Sequence, residues 1–206
     1  MSSPTYSISP SLINAYNYIF KAHDGYEQQA YNDFLNALKR VRTAPNEAML
    51  KGIEFENVVN HVVEIGGRPP CEKDGVTQQH LDIGKIVWEG VKQVKLTKRV
   101  TIEGVNLLVV GYADYIKEGV IYDIKTTKTY DYGKYLDNSQ HPFYLWMDET
   151  AHKFEYLVCD FKDVHREHYD RSCVESVERE LAEFIRFLKS NNELWGLFKK
   201  HRIESE

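Results

Sequence analysis

Residues 111–125 read GYADYIKEGVIYDIK: an acid, a turn, then a second acid one residue from a lysine. Asp114 sits in a run rich in tyrosine and isoleucine, Lys117-Glu118-Gly119 supplies a turn, and residues 120–125 resume a strand pattern. Residues two apart on a strand share a face, so Asp123 and Lys125 point one way and Ile124 points into the core. If the two strands pair as a hairpin, Asp114 comes beside Asp123. Two carboxylates and an amine then converge on one end of a sheet, a seat for a divalent metal and an activated water. The plainer alternative is an Asp–Lys ion pair that closes a hairpin, and this stretch alone leaves both open.

Working outward, residues 94–102, 106–117 and 120–127 are β-rich, with Glu103-Gly104 and Glu118-Gly119 as turn signals. Upstream the periodicity is helical. Ser9-Pro10-Ser11 caps a helix carrying Leu12, Ala15, Tyr16, Ile19 and Phe20. Residues 26–41 predict a second helix, and residues 45–66 a third, ended by the Gly/Pro run at 66–70. A fourth helix is expected over 77–91. Downstream, residues 140–147 predict a helix with Pro142 in its first turn, 154–161 and 164–169 read as strands, and a long amphipathic helix closes the chain. The reading is a single α/β domain over 1–206: residues 1–92 mainly helical, a sheet core with the site over 93–170, and one C-terminal helix over 174–203.

At 206 residues with 42% hydrophobic content, the chain can bury a sizeable core. A net charge of −5 argues against coating nucleic acid by bulk charge, though a local basic groove is compatible with it. The N-terminus carries no signal-peptide pattern and no apolar run approaches membrane-spanning length, so a soluble, cytoplasmic protein with no membrane partner is expected. Cys71, Cys159 and Cys173 are odd in number and widely spaced, which fits buried free thiols and no zinc or disulfide framework.

The chemistry of the Asp114/Asp123/Lys125 set is that of magnesium or manganese, which take hard oxygen ligands from one or two carboxylates, waters and phosphate. A nearby lysine can hold or help deprotonate an attacking water or neutralise charge on a phosphoryl transition state. Fifteen residues past Lys125, Gln140 and Tyr144 lie four apart, on one face of the helix expected there. The amide can orient a lysine or phosphate, and the phenol can donate to phosphate. On the third helix, Glu56 is a further carboxylate ligand candidate. His61 is the secondary one, weighed against a semi-buried structural histidine. Glu54 faces away from Glu56.

Taken in order, Gly52-x3-Glu56, Gly111-Tyr112-Ala113-Asp114, Asp123-Ile124-Lys125 and Gln140-x3-Tyr144 resemble the RecB-type branch of the PD-(D/E)XK nucleases. That branch includes phage exonucleases and CRISPR-associated RecB-like exonucleases. The opening Ile8-Ser9-Pro10-Ser11-Leu12, followed by Tyr16, resembles theirs as well, so the likeness spans residues 8 to about 147. It implies a restriction-endonuclease-like core, a central mixed sheet flanked by helices, with an N-terminal helical region. It also implies a metal-dependent DNA nuclease, more an exonuclease than an endonuclease, with DNA as substrate and room for a recombination or single-strand-annealing partner. By the resemblance Asp114, Asp123 and the Ile124 carbonyl bind Mg2+ or Mn2+, Lys125 is the catalytic lysine, and Gln140 and Tyr144 form the motif that follows. Many relatives carry histidine where this chain has Glu56. Three scattered cysteines cannot hold the iron–sulfur cluster of some relatives. The alternative is the same fold kept as a DNA- or partner-binding module that does not cut.

Basic clusters at Lys39-Arg40-x-Arg42, Lys95-x-x-Lys98-Arg99, Lys128 and Lys199-Lys200-His201-Arg202 are the sources of positive charge for phosphate. Lys128, three residues past Lys125, is the best single candidate, and the C-terminal cluster reads as a solvated face. Tyr144 is also a candidate nucleic-acid contact. Tyr130, Tyr132 and Tyr135 offer rings for unpaired bases, or ordinary packing.

Overall fold

Local signals set most of the helices. A computed structural model describes residues 3–66 and 75–204. In it β1 (Thr5–Ile8) leads into α1 (Pro10–Ile19), where Ser9 caps the Leu12 N–H and Pro10 opens the first turn. Next come α2 (Glu27–Leu38), α3 (Glu47–Glu64) and α4 (Gln78–Val87). Asn46 caps α3 through the Met49 N–H at 2.9 Å, and Thr77 and His80 cap α4 reciprocally. The expected end of α3 beyond Gly66, and Cys71, lie outside the described residues.

The strands are β2 (Val91–Ile102), β3 (Val105–Lys117), β4 (Val120–Thr126), β5 (Lys153–Cys159) and β6 (Val164–Asp170), with α5 (Gln140–Met147) between β4 and β5. Glu103-Gly104 and Glu118-Gly119 take positive φ at both positions, the backbone that joins twisted antiparallel strands in two residues. The sheet runs β1-β3-β4-β5-β6, with β2 on the other edge of β3. Pairs β1–β3 and β4–β5 are parallel and the rest antiparallel. The expected α/β architecture, a mixed sheet flanked by helices with a helical N-terminal region, is the one adopted.

Two cores cover the two faces. On one, α1, α2, α5, α6 (Val177–Ser190) and α7 (Asn192–Arg202) pack on Leu107, Val109, Ile121, Phe154 and Tyr156. On the other, Phe55 and Val59 of α3 and Ile83 and Val87 of α4 cover Tyr122, Ile124 and Leu157. Each fully buried side chain of this size contributes about 1.5–3 kcal/mol.

Four expectations need correction. The N-terminal region is not helical throughout, because residues 5–8 form β1 against β3, about a hundred residues away. The strand expected from residue 94 starts at Val91. The single C-terminal helix is two, preceded by a 3-10 turn at Arg171–Ser176. The second begins anew because Asn191 accepts from the Glu193 and Leu194 N–H groups. Arg202, expected on a solvated basic face, is buried and donates to the Leu38 and Ala37 carbonyls at the end of α2. Among the described residues no helix is long and apolar enough to cross a membrane.

Candidate active site

The site lies where β3 loses its neighbour. On one edge β2 accompanies β3 almost throughout; on the other, β1 pairs only with residues 106–109 and β4 only with 115–117. Residues 110–114 therefore face a slot between β1 and β4 with no strand to satisfy them. Two side chains fill the deficit. The Tyr144 hydroxyl accepts from the Tyr112 N–H at 3.3 Å and donates to the Tyr112 carbonyl at 3.0 Å. Asp114 Oδ2 accepts from the Ile124 N–H at 2.7 Å, continuing across the slot a ladder whose last backbone pair is Tyr115–Tyr122.

This exchange corrects the expected role of Tyr144. It is 5% exposed and its hydroxyl proton is committed to β3, so it mends the sheet rather than meeting a phosphate. The glycine of the Gly-Tyr-Ala-Asp run follows from the same contact. A Cβ at Gly111 would overlap the Tyr144 ring and lie 2.9 Å from Met147 Cε. Gly111→Ala is expected to lower stability by about 1–3 kcal/mol, as overpacking does. That corresponds to roughly 2–4 °C in Tm per kcal/mol for a chain of this size. A thermal melt within 1 °C or so of the parent, by the same conversion, would refute the contact. Gly52 acts similarly on α3, where a Cβ would come 3.2 Å from Thr126 Oγ1, so the helix rides close over the end of β4.

Asp123 is 2% exposed. Its Oδ1 accepts from the Gln140 amide at 2.9 Å, which places Gln140 as the residue that orients it from α5. Its Oδ2 is buried without a well-directed hydrogen bond, and the Lys125 ammonium stands 2.5 Å away, so charge rather than direction holds that pair. Burial pulls the Lys125 pKa down, but attraction to Asp123 and then Asp114 outweighs it and the ammonium is held above its ordinary value. Burial, Asp123 and Glu56 together push the Asp114 carboxyl up to about 8, against the opposing Ile124 N–H and Lys125. Glu56 is raised too, by burial and then by Asp123. It reaches the group from α3, on the other side of the sheet from Gln140, and accepts from the Gln93 amide at 2.9 Å.

Glu56, Asp114, Asp123, Lys125 and Gln140 are thus brought together, and His61 is not. His61 is exposed on the outer face of α3, with Leu50, Ile53 and Asn57 along a cleft of the helix surface. Neither the ligand nor the semi-buried reading of His61 holds. Ile124 sends its N–H toward β3. A strand residue's N–H and C=O leave by the same edge, so its carbonyl also faces the slot. Lys128 is exposed just past β4. Tyr130 and Tyr135 are tied down on Glu167, through the phenol of one and the N–H of the other, while Tyr132 is 86% exposed at the loop tip. Sequence reasoning missed Gln93 and Glu167: Gln93 falls between the expected helix and strand, and Glu167 reads as an ordinary polar strand residue.

The donors suit a hard cation: carboxylate oxygens on three elements whose mutual repulsion a cation would relieve, and one buried oxygen without a directed partner. As they lie, no three His, Cys, Asp or Glu side chains among the described residues stand close enough to ligate one ion.

No protein-family model matches the sequence, and no curated protein matches it. Among solved structures, the crystal structure of SSO0001 aligns over 88% of this chain and 77% of its own, at 14% identity and a TM-score of 0.48.

Proposed function

We propose that the protein is a divalent-metal-dependent DNA nuclease that hydrolyses phosphodiester bonds, working from DNA ends. The observation that supports this best is the convergence of Glu56, Asp114 and Asp123 with Lys125 in the slot between β3 and β4. Three acids around one lysine are costly to bury unless something positive joins them. The preference for DNA and for ends comes from the resemblance of the ordered motifs to RecB-type nucleases.

Asp114, Asp123, Glu56 and the Ile124 carbonyl would hold Mg2+ or Mn2+, which supplies Lewis-acid polarisation of the phosphate and a more acidic water. The chain's own contributions follow from the geometry. Gln140 fixes Asp123 so that Oδ2 is presented to the slot. Lys125 keeps its proton and so donates to the attacking water or a phosphate oxygen, offsetting the negative charge that grows there. Tyr144 keeps the floor of the slot closed by occupying the free edge of Tyr112.

The test is digestion of end-labelled linear DNA and of covalently closed circular DNA with magnesium or manganese. Progressive loss of linear DNA with the circle spared is expected, and cutting of the circle would refute end dependence. The separation of the acids in this structure favours one rival, a module that binds DNA or a protein without cutting. Calorimetric titration with Mn2+ separates the two, since the nuclease reading requires binding at millimolar concentrations or below, about where weakly held divalent sites fall.

A further inference from the structure

Gln93 lies on β2, in a strand that pairs with β3 from Val91–Ile116 to Ile102–Val105. Within that ladder one position is unpaired, the one between Lys92–Tyr115 and Val94–Ala113, which sets Gln93 against Asp114. Gln93 has φ +52, a left-handed backbone that glutamine rarely takes inside a strand. Its partner strand changes face at the same point. Ala113 belongs to the core under α5 and α6, whereas Tyr115, two residues on, belongs to the core under α3 and α4. Residues two apart on a regular strand share a face, so β3 rolls over at Asp114. A local backbone irregularity in a paired strand is a recognised means of re-aiming one side chain beside a site. The Gln93 amide meanwhile donates to Glu56 Oε1 at 2.9 Å. Asn60, which lies beside Glu56, accepts from the Tyr115 hydroxyl, so the residue next to Asp114 packs against the same group.

We propose that Gln93 is a positioning residue for the acidic site: its left-handed backbone permits the roll of β3 that aims Asp114, and its amide holds Glu56 toward Asp123. One residue of the neighbouring strand thereby sets two of the three carboxylates, and it touches neither substrate nor metal. The proposal rests on reading these acids as a divalent-metal site, and it deepens that reading by naming what keeps the third carboxylate within reach. Carboxylate ligands held by an outer amide lose about 10–100-fold in metal affinity when that partner is removed.

Gln93→Gly separates the two roles, because glycine keeps the left-handed backbone and lacks the amide. Gln93→Val removes both, since a β-branched residue disfavours positive φ. In metal-free crystals of Gln93→Gly, Asp114 is expected to keep its bond to the Ile124 N–H while Glu56 swings away from Asp123. Its Mn2+ affinity, titrated by calorimetry, is expected to fall about 10-fold or more. At saturating Mn2+ its KM for DNA is expected to stay at the parent value. Gln93→Val is expected to lose Asp114 from its place as well, with a larger fall in affinity. A Glu56 carboxylate that stays put in metal-free Gln93→Gly, or an unchanged Mn2+ affinity in that variant, overturns the proposal. If the parent protein takes up no Mn2+ at all, the nuclease reading fails, and the position of Glu56 in the metal-free crystals still decides whether Gln93 holds it.

Discussion

Lys125→Ala is expected to lower metal-dependent DNA hydrolysis by about 10²–10³-fold at saturating metal, the usual effect of removing one preorganised donor to a developing charge. The ammonium lies 2.5 Å from Asp123 Oδ2. Arginine is no substitute there, because its fork needs more room than a single ammonium. The same change should destabilise the metal-free protein. Asp123 is 2% exposed and would be left without the cation beside it. With 28% of the Lys125 side chain still reached by solvent, the loss is on the order of 2 kcal/mol, below the figure for a fully buried pair. Kinetics on protein checked as folded separate the two effects. Undiminished hydrolysis by the purified variant would remove Lys125 from the mechanism.

Asp114→Asn is expected to act in opposite directions on activity and stability. Hydrolysis should fall by a comparable factor, since a carboxylate ligand is lost. Stability without metal should rise. The Asn oxygen still accepts from the Ile124 N–H, while the charge crowded by Asp123 and Glu56 is gone. The sign follows from linkage. Asp114 ionises near 3.8 when unfolded and is pushed up to about 8 in the fold. Its contribution to stability is therefore fully present below pH 4 and is lost as pH rises toward 8. At roughly 1.4 kcal/mol per pH unit, reduced by relaxation around the site, the expected gain at pH 7 is on the order of 2 kcal/mol. That raises Tm by about 4–8 °C. Melting curves between pH 4 and 8 in a chelator check it: the parent should lose stability across that window and the variant should lose much less. Magnesium should raise the Tm of the parent and leave that of the variant nearly unchanged. Parallel pH profiles for the two proteins would mean that Asp114 is not crowded by its neighbours.

The two variants form a pair, one deleting the cation of the site and the other an anion. Opposite shifts in metal-free stability with the same loss of activity are what a charge-crowded, metal-accepting site produces. A hairpin closed by the Asp123–Lys125 ion pair alone would lose stability in Lys125→Ala and change little in Asp114→Asn.

Some of this is legible in local sequence because it depends on local physics. The turns at Glu103-Gly104 and Glu118-Gly119 force two hairpins, and the 118–119 turn alone puts Asp114 opposite Asp123. The four-residue spacing of Gln140 and Tyr144 puts both on one face of α5, and alternation places Asp123 beside Lys125. Even the choice between Glu56 and His61 was available in principle. Five residues turn a helix by about 140°, so the two cannot both face the sheet once Phe55, Val59 and Val62 define the buried stripe. The break at Asn191 also had its signal, an asparagine able to cap the helix that follows.

Other features have no local cause. Residues 5–8 become a strand only because β3, a hundred residues on, offers them an edge, and the short reach of β1 is what leaves the slot open at 110–114. Whether the Tyr144 hydroxyl meets a phosphate or closes a sheet depends on that slot, as does the need for glycine at position 111. Gln93 carries no mark in the sequence, for its left-handed backbone has meaning only beside the roll of β3 at Asp114. Spacing along the chain determined which acids and which lysine share a face. The tertiary structure alone decided how far apart they stand and what they cost, because the strand edges and the solvent excluded from them come from distant segments.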